Sequence, residues 1–163
     1  MMFAKLKGFT KLTARVGQLA LLSVVLLAGA CSRSDFTDVE GNQFSWEDFQ
    51  GRWLVINYWA EWCKPCAEEI PELNHLYRQG QDRDIHVLGV NFDRPDITEL
   101  KRQIEALGVQ FPVLYSDPDK KLDYLLPEVL PTTYIFNKEG KLAHKLVGPQ
   151  TLASIEAHLT DSN

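Results

Sequence analysis

The chain has 163 residues, of which 45% are hydrophobic and 24% are charged, and its formal net charge is −5 at pH 7. Four of the 17 basic residues and none of the 22 acidic ones lie in residues 1–30, so residues 31–163 carry 13 basic and 22 acidic residues and a net charge of −9. An acidic part of this size argues against non-specific binding to nucleic acid and suits one domain with a hydrophobic core.

Residues 1–30 have the pattern of an export signal. A basic start is followed by an apolar run over residues 19–30 that only Ser23 interrupts. The run is too short for an ordinary membrane span, which needs about 20 apolar residues, and it is typical of the hydrophobic region of a signal peptide. The basic residues of the start are Lys5, Lys7, Lys11 and Arg15. We therefore expect residues 1–30 to be removed.

Cys31 is the expected lipid attachment site. Residues 27–31 resemble a bacterial lipobox, in which the cysteine is lipidated and becomes the mature N-terminus, although Ala28 stands where leucine is commoner. Three cysteines are an odd number for an exported protein, and lipidation of Cys31 leaves a single pair. Ser32 is compatible with sorting to the outer membrane. Two alternatives remain: cleavage after residues 28–30, which leaves a soluble periplasmic protein, or an uncleaved anchor.

Residues 31–37 are assigned to a short polar tether and residues 38–160 to the folded domain. Its first elements are two short strand candidates on either side of the turn signal Gly41-Asn42. Ser45 then has the pattern of a helix N-cap, because Asp48 follows three positions later.

An apolar run over residues 53–59 predicts the central strand. The run is continuous rather than alternating, which is typical of a strand that is buried on both faces of an α/β sheet. Asn57 interrupts it six residues before Cys63. This amide is either a hydrogen-bonded core residue or a group that lies under the active-site helix and tunes its sulfurs.

Two cysteines, Cys63 and Cys66, follow this strand at the start of a predicted helix over residues 63–80. The free N–H groups and the dipole of a helix N-terminus favour a thiolate at Cys63. Both sulfurs fall on one face of the first turn, close enough for a disulfide. Pro65 fits this turn, whereas Pro71 is expected to kink or break the helix. The pattern predicts a redox pair.

Two other interpretations of the pair are a zinc site and a structural disulfide. Zinc needs about four ligands, yet there is no second cysteine pair, and the histidines lack zinc-site spacing. A structural disulfide that closes so short a loop adds little stability. The histidines are His75, His86, His144 and His158. Redox chemistry is therefore favoured, with no metal and no cofactor.

Strands and helices alternate through the rest of the chain, which predicts a mixed sheet covered on both faces. Gly108 is expected to cap the second long helix, and Pro112 places its strand at a sheet edge. The predicted elements are a strand over 85–92, a helix over 96–107, a strand over 111–115, a helix over 120–126, a hairpin of 132–136 and 142–147, and a helix over 151–159.

The run Trp59-Ala60-x-Trp62-Cys63-x-Pro65-Cys66 looks like the active site of thioredoxin. Four further features narrow the resemblance to one family within the thioredoxin-like proteins. They are the extension Glu69-x-Pro71, Asn57 in place of thioredoxin's acid, the inserted helix after strand 85–92 and the export signal. Over residues 38–159 the chain resembles the TlpA/ResA-like family of membrane-tethered, extracytoplasmic thiol–disulfide oxidoreductases. This resemblance implies an α/β, thioredoxin-like fold with a central mixed sheet and helices on both faces.

The resemblance also implies roles for residues outside the cysteine pair. Pro131 matches the family's cis-proline, which lies opposite the cysteines, and the backbone at Leu130 beside it pairs with the substrate. Trp62 is assigned to the same substrate-binding surface. The alternative for Pro131 is an ordinary trans proline that opens a strand.

Glu69 matches the family's active-site glutamate, one helical turn after Cys66. There it would move a proton for Cys66. The alternative is a surface glutamate like Glu68 and Glu61, for which no function is expected.

The predicted function is thiol–disulfide exchange in which Cys63 attacks a substrate disulfide and Cys66 resolves the mixed disulfide. By resemblance the substrates are envelope proteins, among them apocytochrome c, and a membrane electron donor reduces the pair again. The closest rival is a disulfide donor that runs the same exchange in reverse. Three alternatives are less favoured. A copper-handling chaperone of related fold uses a Cys-x3-Cys pair, whereas two residues separate the cysteines here, and a peroxidase has its nucleophile in a Thr/Pro-rich context that is missing around Cys63. A purely structural module would require that the cysteine pair be dispensable.

Overall fold

The computed structural model describes residues 34–160, so the predicted signal over 1–30 and the lipidation site Cys31 lie outside the described residues. Phe36–Thr37 form β1, which pairs antiparallel with β2, Gln43–Phe44. Residues 36 and 37 of β1 fall within the predicted tether, but Phe36 is buried in the core. A 3₁₀ helix over Trp46–Phe49 follows, and the Ser45 amide donates to the Asp48 carboxylate, as the capping pattern predicts.

A five-stranded mixed sheet organises the domain, in the order β5-β4-β3-β6-β7. The central strand β3 runs parallel to β4 and antiparallel to β6. β4 and β5 are parallel, β6 and β7 form the predicted hairpin, and β5 is the predicted edge strand. The bounds are β3 Trp53–Trp59, β4 Ile85–Asn91, β5 Val113–Leu114, β6 Thr132–Phe136 and β7 Leu142–Val147.

Within residues 34–160, four α-helices accompany the sheet: α1 Lys64–Gly80, α2 Ile97–Leu107, α3 Asp119–Leu122 and α4 Leu152–Glu156. The last two are shorter than predicted; α3 ends because Asp123 adopts a left-handed φ of 51°. Pro71 was expected to kink or break α1; the break does not occur, because the helix continues through Pro71 to Gly80. Pro71 costs only one backbone hydrogen bond, and the buried Ile70 and Leu73 beside it hold the helix against the sheet.

Side chains of β3 alternate between two cores, which explains its continuous apolar run. Leu54, Ile56 and Tyr58 point to one face, which the N-terminal hairpin, the 3₁₀ helix and the region of α3 cover. Trp53 and Val55 point to the other face, which α1 and α4 cover. The predicted α/β class, with a sheet covered on both faces, is confirmed. Among residues 34–160, no helix has the length and apolarity needed to cross a bilayer.

Candidate active site

A disulfide joins Cys63 and Cys66 where β3 passes into α1, with an S–S distance of 2.09 Å and a Cα–Cα distance of 5.2 Å. Cys63 is the N-cap of α1, and its Sγ accepts a hydrogen bond of 3.3 Å from the Cys66 amide. Pro65 lies in the first turn, as predicted. In the reduced protein, this amide and the helix dipole would stabilise a thiolate at Cys63.

The two cysteines are buried in an apolar cluster, with exposed fractions of 4% for Cys63 and 1% for Cys66. Trp59 and Ala60 from the end of β3 and Leu100 from α2 belong to this cluster, and Leu130 packs against it. Leu130 therefore packs against the cluster that contains both cysteines, although it is 64 residues from Cys66 in the chain. Apolar surroundings disfavour a thiolate, so the helix N-terminus must supply the stabilisation.

Glu69 is not a surface residue; its exposed fraction is 1%. Its carboxylate accepts hydrogen bonds from Asn57 Nδ2 at 2.9 Å, the backbone N–H of Gln150 at 3.1 Å and Thr133 Oγ1 at 3.4 Å. Burial raises the pKa of Glu69 to about 7, and these three hydrogen bonds oppose the rise. The carboxyl group can therefore gain or lose a proton near neutral pH, one helical turn from Cys66.

Asn57 connects the central strand to this carboxylate. Its side-chain NH₂ donates to Glu69 and to Thr133 Oγ1, each at 2.9 Å, and its backbone faces Gly89 on β4 and Thr133 on β6. Asn57 Oδ1 is buried and has no hydrogen-bond partner among the described residues. Asn57 is thus a hydrogen-bonded core residue, and it also contacts Glu69 of the active-site helix, so both placements considered from the sequence describe it in part.

The peptide bond between Leu130 and Pro131 is cis, as the resemblance implies, so the trans alternative is wrong. The bond precedes β6, whose first residue, Thr132, pairs with Tyr58 near the end of β3. Thr132 Oγ1 donates to the Val129 carbonyl at 2.7 Å, and the Gly148 amide donates to the Pro131 carbonyl at 2.9 Å. These contacts hold the cis-proline segment at the end of the sheet where β3 ends, shortly before the cysteines.

Trp62, immediately before Cys63, is 67% exposed, and its indole Nε1 donates to Asp93 Oδ2 at 2.7 Å. Glu61 and Glu68, for which no function was expected, are both exposed. Glu61 accepts two hydrogen bonds from one guanidinium nitrogen of Arg102 on α2. Asp93 thus holds the nitrogen end of the Trp62 indole, while most of the Trp62 side chain remains exposed to solvent.

Three contacts of the site come from residues that no sequence motif indicates. Thr133 and the Gln150 amide both reach Glu69, and Asp93 holds Trp62. They lie 64, 81 and 31 residues from their partners along the chain, beyond any local pattern. The only usable signal was the position of Thr133, two residues after the predicted cis-proline.

Comparisons with known proteins agree with this geometry. The model of the AhpC/TSA family matches residues 30–145. The thiol-disulfide oxidoreductase ResA of Bacillus thuringiensis (strain Al Hakam) is 31% identical over 123 residues, which cover 76% of this chain and 70% of the relative. A thiol:disulfide interchange protein of the thioredoxin family from Chlorobium tepidum has a similar structure, with a TM-score of 0.65, 22% identity, and coverage of 80% of this chain and 97% of that one. A secreted thiol-disulfide isomerase from Corynebacterium glutamicum also aligns, with a TM-score of 0.63, 22% identity, and coverage of 75% and 78%.

Proposed function

Because the chain belongs to the AhpC/TSA family and is a thiol–disulfide oxidoreductase of the ResA type, we propose that it reduces disulfides of proteins in the cell envelope. The observation that supports this proposal best is the Cys63–Cys66 disulfide at the start of α1, with the buried Glu69 one turn further on. A reduced cysteine pair in this position can give two electrons to a substrate disulfide, and the pair itself then becomes a disulfide.

The proposed exchange has two covalent steps. The Cys63 thiolate attacks a sulfur of the substrate disulfide; the substrate S–S bond breaks, one substrate thiolate leaves, and a mixed disulfide forms. Cys66 then attacks Cys63 Sγ, which closes the Cys63–Cys66 disulfide and releases the second substrate thiolate. Two electrons pass from the cysteine pair to the substrate, and a membrane dithiol donor returns two electrons to the pair.

Glu69 is proposed to accept the proton that Cys66 must lose before it attacks. With a pKa near 7 the carboxylate is ionised in part of the population at neutral pH, and burial makes it a stronger base than an exposed glutamate. Asn57, Thr133 and the Gln150 amide hold it in place. The next cycle requires the proton to return to solvent or to the substrate thiolate.

Substrate binding is assigned to Trp62, Leu130 and Pro131. Trp62 is exposed directly before Cys63, and Leu130 packs against the cluster of the disulfide. An extended substrate segment could lie between them and pair with the backbone beside the cis-proline, as the resemblance implies. The substrates are proteins with a disulfide, among them apocytochrome c.

The proposed location is the periplasmic side of a bacterial envelope, with Cys31 as the lipid-anchored N-terminus. The basic and apolar pattern of residues 1–30 supports export. The structurally similar thiol-disulfide isomerase from Corynebacterium glutamicum is a secreted protein, which is consistent with this location. Labelling with radioactive palmitate tests the anchor: the intact chain should incorporate label and Cys31→Ser should not, whereas equal labelling would contradict the assignment.

The deciding measurement is the reduction potential of residues 32–163, equilibrated with dithiothreitol or glutathione and followed by tryptophan fluorescence. A value near about −270 mV, as in thioredoxin, supports a reductase that a membrane donor supplies with electrons. A value near about −120 mV, as in strong oxidants, would make the protein a disulfide donor instead.

A further inference from the structure

The loop between β4 and α2 bonds to two different sides of the site through neighbouring residues. Asp93 Oδ2 accepts the hydrogen bond of Trp62 Nε1, beside the disulfide. The next residue, Arg94, forms an ion pair with Asp117, in the segment that leads to the cis-proline. The loop thus contacts Trp62 directly and holds the start of the segment that ends at Leu130 and Pro131.

The backbone of the loop is shaped and anchored for this task. Arg94 has a φ of 50°, in the left-handed region that residues other than glycine seldom adopt. Asn91, which is buried at the end of β4, accepts from the Asp93 amide at 2.9 Å and donates to Gln103 Oε1 of α2 at 2.8 Å. The Phe92 amide donates to the Trp59 carbonyl at 2.9 Å. The loop is therefore tied to β3 and to α2.

Asp117 connects Arg94 to the segment that leads to the cis-proline, because it contacts both Arg94 and the Tyr58 hydroxyl. Its second carboxylate oxygen accepts from the Tyr58 hydroxyl at 2.7 Å, and the Tyr58 and Tyr124 hydroxyls are 2.8 Å apart. Shortly after these contacts come Leu125 and Val129, which are exposed, and then the cis bond at Pro131. Arg94 therefore holds the beginning of the segment whose end contacts the disulfide cluster.

We propose that Asp93 and Arg94 are positioning residues that keep Trp62 and the segment over residues 125–131 at a fixed separation, and that this separation selects an extended polypeptide disulfide over a small one. The inference rests on the proposed function, because it assumes that a protein substrate contacts both parts. A small disulfide needs to reach only the sulfur of Cys63, so its reaction should not depend on the spacing. A polypeptide spans both parts and should.

Arg94→Gly is the main test, because glycine removes the side chain and also accepts the left-handed backbone. The full chain, solubilised in detergent and pre-reduced, is mixed with increasing insulin, and the reaction is stopped by acid and thiol alkylation. The insulin concentration at half-maximal rate should rise about three- to fivefold, with the limiting rate unchanged. The rate with bis(2-hydroxyethyl) disulfide should stay the same.

Two further variants separate positioning from folding. Asp93→Ala should raise the half-saturating insulin concentration by a similar factor, and Asp93→Asn, which keeps a hydrogen-bond acceptor, should restore it. Asp84→Gly is the matched control: Asp84 also has a left-handed φ, 53°, and an exposed ion pair, but it precedes β4 at the other end of the strand. It should leave both substrates unaffected.

Deuterium exchange provides a measure that does not depend on the direction of electron flow. Amides of residues 117–124 should exchange faster in Arg94→Gly and not in Asp84→Gly. If the wild type does not reduce insulin, the reductase proposal fails; the series is then run with oxidised protein and a dithiol peptide, and the same rise in half-saturating concentration is expected. Equal effects on large and small disulfides, or no effect of Arg94→Gly and Asp93→Ala on either, would overturn the positioning role.

Discussion

Two neighbouring residues of β3, Asn57 and Tyr58, lead to two polar networks on opposite faces of the sheet, and the networks differ in how they treat charge. On the face of α1, Asn57 contacts Glu69, whose partners among the described residues are an amide side chain, a hydroxyl and a backbone amide. On the other face, Tyr58 contacts Asp117, which also has the cation Arg94. The first network contains a carboxylate without a cation, and the second a carboxylate with one.

This difference assigns different work to the two faces. A buried carboxyl group without a compensating cation takes up a proton easily, and burial accordingly raises the pKa of Glu69 to about 7. A carboxylate beside a guanidinium is stabilised in its charged form. The carboxyl group on the face of α1 can therefore exchange a proton near neutral pH, which supports the proposed role of Glu69, whereas the ion pair on the face of Tyr58 holds the chain in place.

Cys63→Ser should have the largest effect, because both networks are useful only if a nucleophile is present between them. Without the Cys63 thiolate no mixed disulfide can form, so insulin reduction should be abolished. The hydroxyl still fits the N-cap position, and the fold should persist. Circular dichroism provides the control. Insulin reduction by Cys63→Ser at the wild-type rate would show that another thiol is the nucleophile.

Glu69→Gln should slow the resolution step by about 100-fold at pH 7, since it removes the proposed base but keeps the size of the side chain. The wild-type rate should rise with pH through an inflection near 7, and the variant should lack it. Glu68→Gln, an exposed neighbour, is the matched control. An inflection that survives in Glu69→Gln would assign it to another group.

The same variant should also change how stability depends on pH. Glu69 has a pKa of about 7 in the folded protein, against an ordinary value of 4.5. Between these values the folded state keeps a proton that the unfolded state has lost, so the free energy of unfolding should fall by about 3 kcal/mol as pH rises through this window. Glu69→Gln should lack this fall and be the more stable protein above pH 7. Urea titrations at pH 4.5 and pH 8 measure the difference.

Asn57→Leu sharpens the comparison, because it removes a donor from the face of α1 and leaves Tyr58 in place. The Asn57 hydrogen bond lowers the pKa of Glu69, so its loss should move the inflection in the rate upward by about one pH unit. Thr133→Val, which removes the longer contact of 3.4 Å, should move it less. A downward shift in either variant would mean that Asn57 and Thr133 do not stabilise the charged carboxylate.

The sequence predicted the geometry of the cysteine pair well, because the contact between its two sulfurs is local. Cys63, Cys66 and Glu69 lie on one helix, and their spacing alone places them on one face. The hairpin of β6 and β7 has the predicted bounds, because two apolar strands flank a turn that contains Gly140. Where periodicity and turn residues decide the structure, one sequence was enough.

Prediction failed where a contact depends on tertiary structure. The Gln150 amide that reaches Glu69 is a backbone group, which every residue except proline carries, so residue identity gave no signal. The ion pair of Arg94 requires a left-handed residue that the sequence does not mark with glycine. Helix α3 stops early at Asp123 for a similar reason, although Lys120 to Leu126 reads as helical.

Tyr58→Phe should have the smallest effect and tests the other side of the comparison. Burial raises the pKa of Tyr58 far above its ordinary value, so its hydroxyl remains protonated and donates to Asp117 at any pH at which the protein is folded. The variant leaves an oxygen of Asp117 and the Tyr124 hydroxyl without this partner, which should lower the free energy of unfolding by about 1–2 kcal/mol. Arg94 still holds Asp117, so the exchange rate and its inflection near pH 7 should not move. Tyr115→Phe, at an exposed tyrosine, is the control for stability. If Tyr58→Phe shifted the inflection, the two faces would be coupled through β3, and the division between a face that exchanges a proton and a face that holds the chain would not stand.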